Sequence, residues 1–328
     1  MGLIDKITEL RRLTSASTDN QILRGVEDVI LQKIVYESNC NDSYLSKRLT
    51  LLESIANKLA VDYSDDWASF HTEYFETLVY LSLRKFLCVE KVSEKNVKEP
   101  DFKIIINGIT YYIECKAFTV EAPKKLYTND QDGARKGKKE LDEQAQLGKK
   151  ICMTSREVQC YDPDKKGYDS SSTLMCIERL LQKIDQNYKP DQFKYPNTLM
   201  FLDISQLLFT NHRLLSLLPI YQANERNSSY VTNGELWNIA FGRKDTPIFS
   251  PKEAFDKGSL CGHLSRDGVM YWNANICGIV FRTWFDNFFL EPLGLIRDIE
   301  HLPTMLETIN CQFNNENNSY GYKFYDKK

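Results

Sequence analysis

At 328 residues the chain is longer than a typical single domain, which favours a core domain with a smaller appended segment. Its composition is that of an ordinary globular protein, and a net charge of −3 argues against a polycationic nucleic-acid coat, so any phosphate contact must come from a local patch. Nine cysteines without a CxxC pair argue against a disulfide framework or structural zinc and, with no apolar leader or membrane-spanning stretch, predict a cytoplasmic protein without membrane contact.

Helical spacing of apolar residues dominates the N-terminal part of the chain. This spacing runs through residues 1 to about 60 and predicts two or three short helices. A longer helix is predicted from Ser64 to about Leu87, because Ser is a favourable N-cap and the two acids after it suit the helix dipole. We therefore expect an N-terminal helical segment at residues 1–62, followed by a larger domain at residues 63–328.

A β-hairpin is the clearest pattern in the larger domain. A short strand is predicted at Cys88–Val92, and two further strands meet at Asn107-Gly108, a dipeptide typical of two-residue hairpin turns. Residues 121–170 are polar and are predicted to form a long loop with room for one helix. The basic residues from Lys124 to Lys150 make this loop the best local candidate for phosphate contact, although such charge runs are more often solvated.

The remaining elements predict an α/β fold. A helix with one apolar face runs to Tyr188 and should end before Pro190. Short apolar runs bounded by turn residues predict strands at Asn197–Ile204, Leu236–Phe241 and Ile276–Trp284. The Asn-rich stretch from Asn310 to Asn318 is expected to be loose, with a last edge strand at Tyr320–Tyr325. Together these elements predict a mixed central sheet flanked by helices.

The hairpin turn determines which residues face each other across the two strands. Counting outward from Ile106 opposite Ile109 places Asp101 opposite Glu114, with their Cβ atoms about 5 Å apart. Strand alternation supports this register, because one face carries only apolar residues: Phe102, Ile104, Ile106, Ile109, Tyr111, Ile113 and Cys115. The other face carries Asp101, Lys103, Tyr112, Glu114 and Lys116.

The polar face of the hairpin indicates metal-dependent chemistry. Two carboxylates that face each other repel, so a positive group is expected between them. A hard divalent cation such as Mg²⁺ accepts carboxylate oxygens together with a backbone carbonyl and waters. Lys116 lies two residues after Glu114 and points to the same side, where its ammonium can orient a water or neutralise charge on a phosphoryl group.

These residues resemble the motif of a known family. Pro100-Asp101, a short hairpin and then Glu114-Cys115-Lys116 are similar to the motif of the PD-(D/E)xK nuclease superfamily, which has a restriction-endonuclease-like fold. The predicted order of helix, three strands, helix and strand is also similar to the core of that superfamily. The resemblance implies that Asp101 and Glu114 bind the metal, and that Lys116 serves the nucleophile and the transition state.

The resemblance also implies further site residues and an activity. An acid on the preceding helix is common in the family, and Glu76 is a better match than Glu73, since Glu76 lies on an apolar stripe where a carboxylate needs a metal or lysine partner. A Lys or Gln on the following helix would be Lys183 or Gln186. The expected protein is a Mg²⁺-dependent endonuclease, with Mn²⁺ as a substitute, that cleaves DNA in preference to RNA in restriction or anti-phage defence.

Other interpretations fit the same residues. The fold can carry a nucleic-acid-binding or regulatory module without turnover, or the N-terminal helices can form a homodimer or bind a protein partner while the acids are incidental. For the hairpin residues, the competing interpretation is a solvated strand face with a weak cross-strand salt bridge. For Glu76 it is a buried ion pair or a surface acid, and for Lys183 and Gln186 the exposed face of an amphipathic helix.

Overall fold

The structure is a computed structural model of two compact units. It describes residues 2–14, 20–40, 42–61, 65–93, 98–119, 123–154, 172–207, 220–223, 228–250, 259–284, 290–298, 300–317 and 323–326. The first unit is drawn from residues 1–81, 117–166 and 204–210, and the second from residues 82–116, 167–203 and 211–328. Each unit is thus built from three separate stretches of the chain. The predicted N-terminal segment, residues 1–62, lies within a unit that extends beyond it.

Helices make up most of the described part of the first unit. They are α1 (Leu3–Leu13), α2 (Gln21–Arg24), α3 (Asp28–Ser38), α4 (Ser43–Ala56), α5 (Asp65–Arg84) and α6 (Pro123–Gln146). Helices α1, α3 and α4 pack together and bury apolar residues such as Ile7, Ile34 and Leu52. Asp42 caps α4 by accepting hydrogen bonds from two backbone N–H groups in its first turn. The N-terminal region therefore holds more helices than the two or three predicted.

Two of these helices bear on sequence predictions. Helix α5 confirms the predicted long helix, while Ser64, its predicted cap, lies outside the described residues. Helix α6 occupies much of the first part of the polar stretch at residues 121–170, which the sequence suggested is mainly loop. Its many Lys, Glu and Gln residues are good helix formers, so local propensity accounts for the difference. Within the described residues, no helix is both long and apolar enough to cross a membrane.

The second unit contains a seven-stranded mixed sheet with the strand order β1-β2-β3-β4-β9-β10-β11. The strands are β1 (Val89–Lys91), β2 (Phe102–Ile106), β3 (Ile109–Ala117), β4 (Thr198–Asp203), β5 (Ile220–Ala223), β6 (Ser228–Thr232), β7 (Pro247–Ser250), β8 (Ser259–His263), β9 (Ile276–Trp284), β10 (Leu290–Ile296), β11 (Gln312–Asn315) and β12 (Lys323–Asp326). Neighbouring strands are antiparallel at β1-β2, β2-β3 and β9-β10, and parallel at β4-β9 and β10-β11. The protein is thus α/β, with a mixed central sheet flanked by helices.

Smaller elements complete the second unit. Two further sheets have the orders β12-β6-β5 and β7-β8. The helices are α7 (Thr173–Asn187), α8 (Glu235–Phe241) and α9 (Leu302–Thr308). Helix α7 packs on α8 and on the β7-β8 pair, and α9 packs on β11. Helix α7 and strands β4 and β9 confirm three elements that were predicted from apolar patterns, and every residue of β4 is buried.

Two sequence predictions for the C-terminal part are wrong. The run Leu236–Phe241 is a helix rather than a strand, because an apolar run buried on all sides has no periodicity that separates the two. The Asn-rich tail is not loose throughout, since β11 pairs in parallel with β10 and buries Asn314. Strand β12, at the edge of a small sheet, overlaps the predicted last edge strand at Tyr320–Tyr325, and residues 320–322 lie outside the described residues.

The hairpin of β2 and β3 has the predicted register. The observed pairs run from Ile106 opposite Ile109 to Phe102 opposite Ile113. The turn residues Asn107 and Gly108 have φ angles of 50° and 80°, as a type I′ hairpin turn requires. Phe102, Ile104, Ile106, Tyr111 and Ile113 are buried on the predicted core face. The local sequence therefore fixes the face on which the polar residues lie.

Candidate functional site

Asp101 closes the open end of the hairpin. It lies one residue before the paired part of β2, and continuing the register places it opposite Glu114. Its Oδ2 accepts a hydrogen bond of 2.8 Å from the backbone N–H of Cys115, and its Oδ1 lies 3.0 Å from Nζ of Lys91. The carboxylate of Asp101 therefore reaches β3 beside Glu114, as the register predicts.

Glu114 is a buried acid, and one of its two carboxylate oxygens is in an ion pair. Its side chain is 1% exposed, and Oε1 lies 2.6 Å from Nζ of Lys116. Its other oxygen, Oε2, is buried and has no hydrogen-bond partner within the described structure. The interpretation of this face as solvated therefore does not hold at Glu114. A buried polar atom without a partner costs free energy, and it is the kind of atom that a bound ligand or ion can satisfy.

The surroundings of Glu114 favour its neutral form. Burial raises the pKa of Glu114 to about 8, and the nearby charge of Asp101 contributes in the same direction. Lys116 and, to a smaller extent, Lys91 lower that pKa without offsetting the rise. In the absence of a cation the Glu114 carboxyl group therefore binds a proton near neutral pH. A cation at this place would act in the opposite direction and favour the carboxylate.

Lys116 bridges the hairpin and a segment that the sequence analysis did not single out. Its Nζ donates a 2.9 Å hydrogen bond to Oε1 of Gln192, in addition to its contact with Glu114. Gln192 is 7% exposed and lies on a 3₁₀ turn, Pro190–Phe193, between α7 and β4. The sequence around Gln192 has no periodicity that marks Gln192 as a site residue. The one sequence feature that could have indicated it is its position shortly before a predicted strand, which in the structure neighbours β3.

The structure places Glu76 in the first unit, on α5, with partners of its own. Glu76 is 9% exposed, and its Oε1 accepts a hydrogen bond of 3.0 Å from the hydroxyl of Tyr44. Arg48 forms ion pairs with both Glu76 and Glu73. Burial lowers the pKa of Arg48, but these acids and Tyr44 more than offset that effect and raise it. The described partners of Glu76 are therefore those of a buried ion pair between α4 and α5.

The two candidates on the helix after the motif lie on α7. Gln186 is exposed, and Lys183 is half-buried. The backbone carbonyl of Lys183 accepts a hydrogen bond of 2.8 Å from the side chain of Asn187. The glutamine that the structure brings to Lys116 is Gln192 rather than Gln186.

The basic stretch at Lys124–Lys150 is mostly part of α6, in the first unit. The basic side chains described on this helix are exposed, and two of them pair with acids one turn away: Arg135 with Asp132 at 3.5 Å, and Lys139 with Glu143 at 3.8 Å. These contacts are those of a solvated helix face, where ion pairs stabilise little. Phosphate contact by this stretch stays a prediction.

The hairpin offers a two-carboxylate donor set. No group of three or more His, Cys, Asp and Glu side chains that could hold a metal is found in the part of the chain that the structure describes. Two carboxylates are enough for Mg²⁺, which commonly keeps several waters and binds one or two carboxylates plus substrate phosphates. Asp101 and Glu114 fit that pattern, because their charges interact and Oε2 of Glu114 has no described partner.

Comparisons with known proteins add no second line of evidence. The chain matches no protein-family model, no curated protein and no solved structure. The chemistry of the site therefore has to be inferred from its own residues. The site combines two acids, Asp101 and Glu114, each paired with a lysine, and a buried Glu114 oxygen without a described partner.

Proposed function

We propose that the protein is a Mg²⁺-dependent endonuclease of the PD-(D/E)xK type, with a restriction-endonuclease-like fold. It hydrolyses phosphodiester bonds, and the resemblance favours DNA over RNA as its substrate. The observation that carries the proposal is the buried Oε2 of Glu114, which has no described partner, on a side chain whose other oxygen pairs with Lys116 and whose pKa is raised in part by Asp101. A group that lowers stability in this way is often kept because function requires it.

The hairpin residues perform two tasks in the proposed reaction. Asp101 and Glu114 hold the cation, for which Mn²⁺ can substitute. When bound, the cation supplies a Lewis acid for a phosphoryl oxygen and lowers the pKa of a coordinated water. Lys116 presents an ammonium that orients the attacking water and stabilises the negative charge that develops on the phosphoryl group. Glu76 stays a sequence-based candidate for a further ligand or water-orienting acid, and Lys183 and Gln186 stay candidates of the same kind.

The test is a cleavage assay with labelled duplex and single-stranded DNA and RNA, in Mg²⁺ or Mn²⁺. Lys116→Met should lower kcat by about 10²-fold to 10³-fold, which is typical when one transition-state donor is removed. Lys103→Met is the matched control, because Lys103 shares the hairpin face but is 40% exposed and pairs with Glu90. This control should keep wild-type activity.

Metal titration by calorimetry separates the alternatives. Wild type should bind Mg²⁺, and Asp101→Asn should not, although the Asn oxygen can still accept the hydrogen bond from Cys115. Metal binding with no cleavage of any substrate would identify a module without turnover. No metal binding by wild type would contradict the proposal and leave an interaction protein. The defence setting and a homodimer or partner interface on the N-terminal helices stay predictions.

A further inference from the structure

The segment between α7 and β4 lies along the polar face of β3. At one end Gln192 contacts Lys116, and at the other the ring of Tyr195 stacks on the ring of Tyr112. The two ring centroids are 4.2 Å apart, and the ring planes differ by 14°. Residues of β3 that alternate along one face thus meet residues of a single short segment. The segment therefore contacts the positions on either side of Glu114 on this face.

The same segment is fastened to its surroundings independently of Lys116. The backbone carbonyl of Phe193 accepts hydrogen bonds from the side chains of Asn273, at 3.2 Å, and Asn275, at 2.8 Å. The ring of Phe193 is fully buried and stacks on Tyr188, with centroids 4.9 Å apart. Gln192 therefore projects from a backbone that neighbouring residues hold in place.

A further contact ties the segment to the start of the hairpin. Nζ of Lys194 lies 2.6 Å from Oε1 of Glu99, which comes two residues before Asp101. The 3₁₀ turn and the residues after it are thus attached to β3 and to the residues that lead into β2. A side chain on so constrained a segment can hold a flexible lysine in one orientation.

The chemistry of the Gln192 contact suits a positioning role. A lysine ammonium only donates hydrogen bonds, so the atom of Gln192 that faces it must be the amide oxygen. An amide oxygen is neutral, and it directs the ammonium without cancelling its charge. Glu114 supplies the second contact of the same ammonium, at 2.6 Å. Lys116 is thereby held between two acceptors on different elements, and its remaining proton is left to point elsewhere.

We propose that Gln192 is a positioning residue, which fixes the ammonium of Lys116 beside Glu114 through its amide oxygen. The catalytic consequence rests on the proposed nuclease function, whereas the contact itself can be tested without turnover. In a site of this kind, a displacement of about 1 Å in a catalytic group can cost about 10²-fold in rate. The side chain of lysine has several freely rotating bonds, so removal of one acceptor should produce such a displacement.

The first readout is the exchange rate of the Lys116 ammonium protons. It is measured by NMR on ¹⁵N-lysine-labelled full-length protein, with the signal assigned as the one that Lys116→Met removes. Gln192→Met keeps the length of the side chain but lacks the acceptor, and it should speed exchange about tenfold or more, as the loss of a hydrogen bond to a charged group predicts. Gln192→Glu keeps an acceptor and should retain slow exchange. Asp191→Asn is the matched control, because Asp191 is exposed on the same turn.

The second readout is steady-state kinetics of the same variants. Gln192→Met should lower kcat about tenfold to 10²-fold with KM unchanged, since the interaction it disturbs acts on the transition state. Slow exchange in Gln192→Met, or fast exchange in both Gln192 variants, would overturn the proposed contact. Fast exchange in Gln192→Met with unchanged kcat would overturn its catalytic role. Absence of cleavage by wild type would instead count against the nuclease function, and the NMR result would still decide the contact.

Discussion

Glu114 shows how far the surroundings of one residue change its chemistry. On an exposed strand an acid in this position would be ionised near neutral pH. Burial and the neighbouring Asp101 raise the pKa of Glu114 to about 8, from an ordinary value of 4.5. Between these two pH values the unfolded chain has mostly lost the proton of Glu114, whereas the folded protein still binds it.

The raised pKa of Glu114 predicts how the stability of the protein depends on pH. The folded state holds the proton up to a higher pH, so Glu114 should lower the free energy of unfolding as pH rises from about 4.5 to about 8, by at most about 1.4 kcal/mol per pH unit. Glu114→Gln removes this dependence, and it should become more stable than wild type as pH rises through the range. Urea unfolding of metal-free protein at pH 5.5 and pH 8.5 measures the difference. The control is Glu307→Gln, at an exposed position of α9. A stability difference that does not grow with pH would contradict the assignment.

The residues that sequence analysis placed correctly are those whose positions depend on local geometry. Asp101, Glu114 and Lys116 follow from a two-residue turn and strand alternation, which act over a few residues. Gln192 could not be found in this way, because it meets Lys116 across 76 residues of sequence. The same limit applies to Arg48, the partner of Glu76, which lies 28 residues away on another helix.

At the scale of single elements, the hairpin turn has a strict backbone requirement. Gly108 has φ of +80°, and a Cβ added there would meet no atom within 4 Å. A side chain at this position would therefore destabilise the protein through the backbone conformation and not through a clash with other residues. Gly133 offers a comparison, since it also has open space but lies inside α6.

Substitution by alanine should change the free energy of unfolding in opposite directions at these two glycines. Gly108→Ala should lower the free energy of unfolding by about 1 to 2 kcal/mol, because the left-handed conformation is unfavourable for alanine. Gly133→Ala should raise it by about 0.5 to 1 kcal/mol, because alanine is the better helix former. Chemical denaturation of both variants checks the pair. Equal effects would show that the turn is not held in the left-handed conformation.

The elements that were misjudged share one physical cause. Helix α8 is buried on every side, so its apolar residues show neither helical nor strand periodicity. Strand β11 has a polar sequence with low β-propensity, and it is a strand because it pairs with β10. In both cases tertiary contacts decided the structure. The hairpin and β4, by contrast, were predictable because sequence pattern and environment agree.

For the whole molecule, a cation that binds only the folded state should stabilise it. Mg²⁺ at about 100 times its dissociation constant should add about 2.7 kcal/mol to the free energy of unfolding. Because the cation competes with the proton on Glu114, its effect should be larger at pH 8.5 than at pH 6.5. Thermal unfolding with and without Mg²⁺ at both pH values measures this. An equal shift at both pH values, or the same shift in Asp101→Asn, would contradict binding at the hairpin.

The interleaving of the two units has a consequence for biosynthesis. The first unit includes residues 204–210, so its earliest helices leave the ribosome long before the residues that complete the unit. The hairpin is synthesised in the interval, yet its own sheet needs β9, β10 and β11 from much later in the chain. Gln192 likewise reaches the ribosomal exit after the lysine it contacts. A nascent chain that stalls before these strands would carry the motif residues without the packing that buries them.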